Sequence, residues 1–110
     1  MQPGEPSAVI RERVIKARQI QEARYKDFQG IYCNAQMTER MIHQFAEPDE
    51  SSLALLRNAM ERFKLSARAY TRILKVARTI ADLEAEPNIN TTHLAEAITY
   101  RSLDRDSWGQ

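Results

Sequence analysis

From Ser7 onward the apolar residues recur every three or four positions, and no stretch alternates apolar and polar long enough to make a strand. A chain patterned this way can bury its apolar stripes only by packing helix on helix. The expected fold is therefore all-α, a bundle of about five helices.

The punctuation divides the chain. Residues 1–6 (MQPGEP) hold two prolines and a glycine and read as a flexible lead-in. Ser7 opens a first helix whose apolar positions Ile10, Val14 and Ala17, continued by Tyr25 and Phe28, fall near one face, and Gly30 is expected to stop it. Thr38 caps a short second helix with Met41, Ile42 and Phe45 on one side, ended before Pro48. Asp49 starts a third, where early acidic residues suit the positive end of the helix dipole, and Leu53, Leu56, Ala59, Met60 and Phe63 form its stripe. Ser66 caps a fourth helix reaching about Glu84, with Tyr70, Ile73, Leu74, Ala77, Ile80 and Ala81 inward. Beyond Pro87, one of Asn90, Thr91 and Thr92 caps a fifth that carries Leu94, Ala97 and Ile98. One helical domain is thus expected over residues 7–101, followed by a tail over 102–110.

Several kinds of chemistry have no residues to carry them. The glycines at 4, 30 and 109 belong to no phosphate-cradling loop, so catalysis by this stretch alone is not expected. Cys33 is the only cysteine, which excludes an intrachain disulfide, and its expected place is the apolar interior. His43 and His93, fifty residues apart, suggest no metal site and read as surface or partly buried polar residues. No run approaches a membrane span and no leader opens the chain, which points to a cytoplasmic protein without a membrane partner. The net charge is +1; the first fifty residues hold seven basic against eight acidic side chains and the remaining sixty hold nine against seven, so neither half carries the strong positive excess of a nucleic-acid-binding domain.

Charge is nevertheless placed unevenly. On the fourth helix Arg68, Arg72 and Lys75 occupy a narrow sector opposite the apolar face. Arg68 lies in the first turn, where free amides and the dipole already make the potential positive and a carboxylate would be the stabilising choice. A guanidinium there suits an incoming anion, because its fork and the amides can both meet phosphate oxygens. An ordinary solvated stripe would show the same pattern. The first helix carries a second cationic element, in which Arg11, Arg13, Lys16, Arg18, Arg24 and Lys26 outnumber Glu12, Glu22 and Asp27, on a thin apolar stripe. That element reads either as a solvated face or as a contact for nucleic acid or a neighbouring protein.

The run KLSARAYTRILKVARTIADLE (Lys64 to Glu84), followed by INTTHLAEAITYR (Ile89 to Arg101), resembles the carboxy-terminal helical lid of the magnesium-chelatase-like AAA+ ATPases, in particular their ComM/YifB branch, associated with DNA processing in natural transformation. SAVIRERVIKARQIQ (Ser7 to Gln21) is similar to that family's junction helix. Asn34-Ala35-Gln36-Met37 is similar to its short NAxL-type segment, with Met37 where leucine is usual. The resemblance implies an excised or free-standing lid in which Arg68 is the sensor 2 arginine that contacts nucleotide phosphates, with Arg72 and Lys75 in support. The nucleotide is that of its own or of a neighbouring subunit. It further implies a parent that uses ATP and Mg2+, neither held tightly by this stretch. The implied partners are the AAA+ core of the same polypeptide, neighbouring subunits of a hexameric ring, and DNA. A helical nucleic-acid-binding module and a plain oligomerisation or scaffold domain are the alternatives.

Overall fold

A computed structural model describes the backbone of residues 7–108 and the side chains of residues 7–100. The described residues form helices and no strands: α1 (Ser7–Tyr25), a single 3-10 turn (Asn34–Gln36), α2 (Glu39–Phe45), α3 (Glu50–Phe63), α4 (Ala67–Leu83) and α5 (Thr91–Trp108). The lead-in lies outside the described residues. The stretch read as a tail is helical as far as Trp108, and its side chains lie outside the described residues.

Local chemistry sets most boundaries. The Thr38 hydroxyl accepts from the Met41 amide at 3.2 Å, and Ser66 Oγ accepts from the Ala69 amide at 3.2 Å, so each satisfies a donor that its helix cannot. Asp49 accepts from the Ser52 amide at 2.8 Å, and this bond holds its carboxyl below the usual carboxylate range. A carboxyl lowered in the folded state stabilises above its unfolded pKa of about 4, and loses that contribution as pH falls through the folded value. Asp49→Asn keeps an acceptor at the cap but removes the titration. Urea midpoints measured from pH 5 down to pH 2 should fall less steeply in the variant than in the wild type, and parallel curves would refute the assignment.

Both α3 and α4 end in residues with left-handed backbone that are not glycine, Lys64 (φ 52°) and Ala85 (φ 56°). The amides that follow fold back: Leu65 donates to the Met60 carbonyl at 3.0 Å, and Glu86 donates to the Ala81 carbonyl at 2.9 Å. These tight reversals leave only two residues between Lys64 and the start of α4. At the start of α5, Asn90 and His93 cap one another: the His93 amide donates to Asn90 Oδ1 and the Asn90 amide donates to His93 Nδ1, each at 3.0 Å. With Nδ1 accepting, Nε2 carries the proton toward Glu84 at 2.9 Å. His93 is therefore wholly buried rather than a surface residue, because the cap needs its ring inside.

Helix α4 is the centre of the bundle, packing against α1, α2, the 3-10 turn and α5, while α3 packs on α5. Ile73, Leu74, Ala77, Ile80 and Ala81 of α4 meet Leu56, Leu94, Ala97 and Met41 in one core. Tyr25, Phe28 and Phe45 close its α1 end in edge-to-face contacts with centroids 5.7 to 6.4 Å apart.

Three expectations fail here. Ile10 and Val14, expected in the core stripe of α1, are 48% and 38% exposed, and among the described residues of α1 only Ala17 and Tyr25 are buried. The nineteen-residue helix, about 28 Å long, reaches past the elements that cover its second half. It also ends at Tyr25, five residues before Gly30, because Phe28 and Ile31 donate to the Tyr25 and Phe28 carbonyls and wind the chain into turns. Cys33 is exposed, not interior: it precedes the 3-10 turn on the outer side while its neighbour Asn34 points in.

Candidate phosphate-facing end of α4 and the buried joint behind it

Arg68 is exposed in the first turn of α4, a turn with no acidic residue, and its guanidinium has no ion-pair partner among the described residues. Ser66 occupies the Ala69 amide, so the amides of Ala67 and Arg68 remain open at the same end. Arg72, one turn on, is exposed and likewise without an ion pair among the described residues. Lys75 is committed differently, with its Nζ donating to the Ala35 carbonyl at 3.0 Å and so fastening the 3-10 turn to α4. Arg72 and Lys75 form the rim of a groove of about 550 Å³ whose floor is Val76, Ile80 and Leu83. Arg62 and Lys64 close α3 immediately before this end of α4, and Glu61 is the single acid between residues 61 and 72. The corner is therefore cationic by sequence and open in structure. Anions gather at such a place.

On α1, Arg11, Arg13, Lys16 and Arg18 are all exposed, as are Val9, Ile10, Val14 and Ile15 in its first half. Arg24, in the last turn of the helix, behaves otherwise. Its guanidinium turns inward and grips Asp82 of α4 with two parallel bonds of 2.8 and 2.7 Å; the Asp82 side chain is 0% exposed and that of Arg24 12%. Asn34 Oδ1 accepts from Arg24 at 3.0 Å and from the Tyr25 hydroxyl at 2.5 Å. Its Nδ2 donates to Thr79 Oγ1 and to Asp82 Oδ2 at 3.0 and 2.9 Å. Arg78 reaches the same carboxylate at 3.2 Å and donates to the carbonyls of Phe45, Pro87 and Glu86.

Two guanidiniums thus share one carboxylate in the interior. Burial works against the charge of Arg24, but the bonds to Asp82 and its attraction outweigh that, and the guanidinium is held above its ordinary range. For Arg78 burial dominates, with repulsion from Arg24 adding to it against the pull of Asp82, and the guanidinium is lowered. The asymmetry follows the geometry: Arg24 holds both oxygens of Asp82, and Arg78 meets one at longer range. Tyr25, buried beside them, is raised by burial, with Arg24 opposing.

Sequence reasoning missed this cluster, although a signal was present. Asp82 is the only acid in α4 and sits in its last turn, where the dipole disfavours a negative charge. That is the mirror image of the argument that singled out Arg68 at the other end.

Comparison with known proteins agrees with this architecture. Residues 4–101 match the family described as magnesium chelatase, subunit ChlI C-terminal. The chain is 42% identical over 102 residues to competence protein ComM of Haemophilus influenzae and 39% identical over 103 residues to the uncharacterized protein YifB of Escherichia coli. It is 30% identical over 98 residues to an uncharacterized protein of Mycobacterium bovis. These alignments cover 93%, 94% and 89% of the chain, but the chain spans only 19% of the length of each relative. No helix among the described residues is long and apolar enough to cross a membrane. With the family match running over almost all of its length, the chain belongs to the magnesium chelatase subunit ChlI C-terminal family.

Proposed function

We propose that this domain is the helical lid of a magnesium-chelatase-like AAA+ ATPase, and that Arg68 is its sensor 2 arginine, meeting the phosphates of ATP bound with Mg2+ in the parent. The observation that carries this reading is the combination at the amino end of α4. A guanidinium that is exposed and has no carboxylate partner among the described residues stands in the electropositive first turn beside two open amides, within the run most like the family's lid. A γ-phosphate would supply the missing negative charge, and Arg72, also unpaired among the described residues, would support it. Lys75 would contribute less while it holds the Ala35 carbonyl. ATP binding and hydrolysis would then move the lid as a body and pass the motion to the ring, a cytoplasmic hexamer that processes DNA. The name competence protein, borne by one relative, is in keeping with that parent. The test is Arg68→Ala in the complete polypeptide, with nucleotide affinity and ATP turnover measured; if neither changes, the reading fails.

The uncovered half of α1 supports a second role beside the first. Val9, Ile10, Val14 and Ile15 are exposed aliphatics on one projecting segment, which suits docking onto the AAA+ core or a neighbouring subunit. A nucleic-acid contact through Arg11, Arg13, Lys16 and Arg18 is the competing use of that segment. It predicts binding to single-stranded or forked DNA that weakens steeply as salt rises, and no detectable binding at about 50 mM salt would dismiss it.

A further inference from the structure

The buried cluster does more geometrically than a stable core requires. Apolar residues of equal volume would pack at least as favourably as a buried ion pair, whose best attested use is to fix one register. Here Arg24 on α1 and Asp82 on α4 are joined by a two-bond fork that permits one orientation of the two helices. Asn34 repeats the constraint, accepting from Arg24 and Tyr25 on α1 while donating to Thr79 and Asp82 on α4. Sliding α1 by one residue along α4 would break both bonds of the fork, and with them either the bonds of Asn34 to α1 or its bonds to α4. Each helix also has a free arm. The first half of α1 projects with its aliphatic side chains uncovered, and Arg68 stands at the far end of α4, about 21 Å along the helix from Asp82.

We infer that the Arg24–Asp82–Asn34 cluster is the joint that makes α1 and α4 turn as one body, with Arg24 the residue that couples α1 to the helix carrying Arg68. This rests on the reading that Arg68 meets nucleotide. Movement imposed on α4 at its phosphate-facing end is carried through the joint to the exposed half of α1, and from there to whatever that half contacts. Loosening the joint leaves Arg68 free to meet nucleotide but disconnects the consequence.

Arg24→Met tests this, because it removes the fork while leaving Asp82 paired with Arg78, so no charge is left unpartnered in the core. In the 110-residue chain, hydrogen exchange of the second-half amides of α1 should accelerate by at least about tenfold, with α4 and α5 unchanged within about twofold. In the complete ATPase, kcat should fall at least about fivefold while KM for ATP stays within about twofold. Arg24→Lys, which keeps the charge without the fork, should recover less than half of the lost turnover. Unchanged exchange in α1, acceleration of all helices together, an unaltered kcat, a loss confined to KM, or full recovery by lysine would each overturn the joint. If Arg68→Ala itself leaves turnover and affinity untouched, the nucleotide reading fails separately, and the exchange measurement alone then decides whether α1 and α4 are locked.

Discussion

Asp82→Ala is expected to remove about 3–5 kcal/mol of folding stability, the usual loss when one partner of a buried ion pair is taken away. The size comes from what is left behind. Among the described residues Asp82 is the only carboxylate that Arg24 and Arg78 touch, so its removal leaves two guanidiniums facing each other in the interior, with Asn34 Nδ2 short of an acceptor. Arg24 is near enough to the surface to swing outward, at the expense of its hold on α1. Arg78, 3% exposed and tied to three carbonyls, is confined. Domains of this size are stable by about 5–15 kcal/mol in all, so the variant should sit near the edge of folding. Urea unfolding followed by helical circular dichroism measures it, and a loss under about 1 kcal/mol would mean that the cluster is not held by its carboxylate. Arg24→Met should cost far less, since Arg78 and Asp82 remain as a neutral pair.

The same cluster marks where sequence reading stopped. Helix starts were legible because a cap is a local event: Thr38, Asp49 and Ser66 each answer a donor three residues on, whatever the rest of the fold does. The stripe of α4 was legible because that helix is covered on its whole inner face. Periodicity says which face of a helix is apolar and not whether anything lies against it, which is why Ile10 and Val14 were expected inside and are exposed. Cys33 reversed its expected place, and His93 went deeper than the surface or partly buried position expected of it, for a related reason. Hydropathy orders residue types, while the 3-10 turn and the α5 cap needed an outward residue at one position and an inward acceptor at the other. Arg24 looked like one more surface cation because its partner lies fifty-eight positions away. The corner at Arg68 was visible from sequence as a charge set against a helix dipole, and it is exposed as that argument requires; what binds there is a matter for the nucleotide experiment.

That experiment has a signature that separates a phosphate contact from a structural part. Arg68→Ala in the complete ATPase should lower turnover by about 10²–10³-fold, the cost of removing one preorganised donor from a developing phosphate charge. Arg68→Lys should lie between, because an ammonium keeps the charge but cannot present two parallel donors. Stability should move the other way or not at all. Arg68 has no ion pair among the described residues, and its charge opposes the helix dipole, so its loss should leave the unfolding free energy unchanged or raise it by up to about 1 kcal/mol. A residue kept for packing or for a surface ion pair loses stability and activity together. One placed for a visiting anion loses activity while the empty domain relaxes, so turnover that holds while the midpoint falls would reverse the argument from its first step.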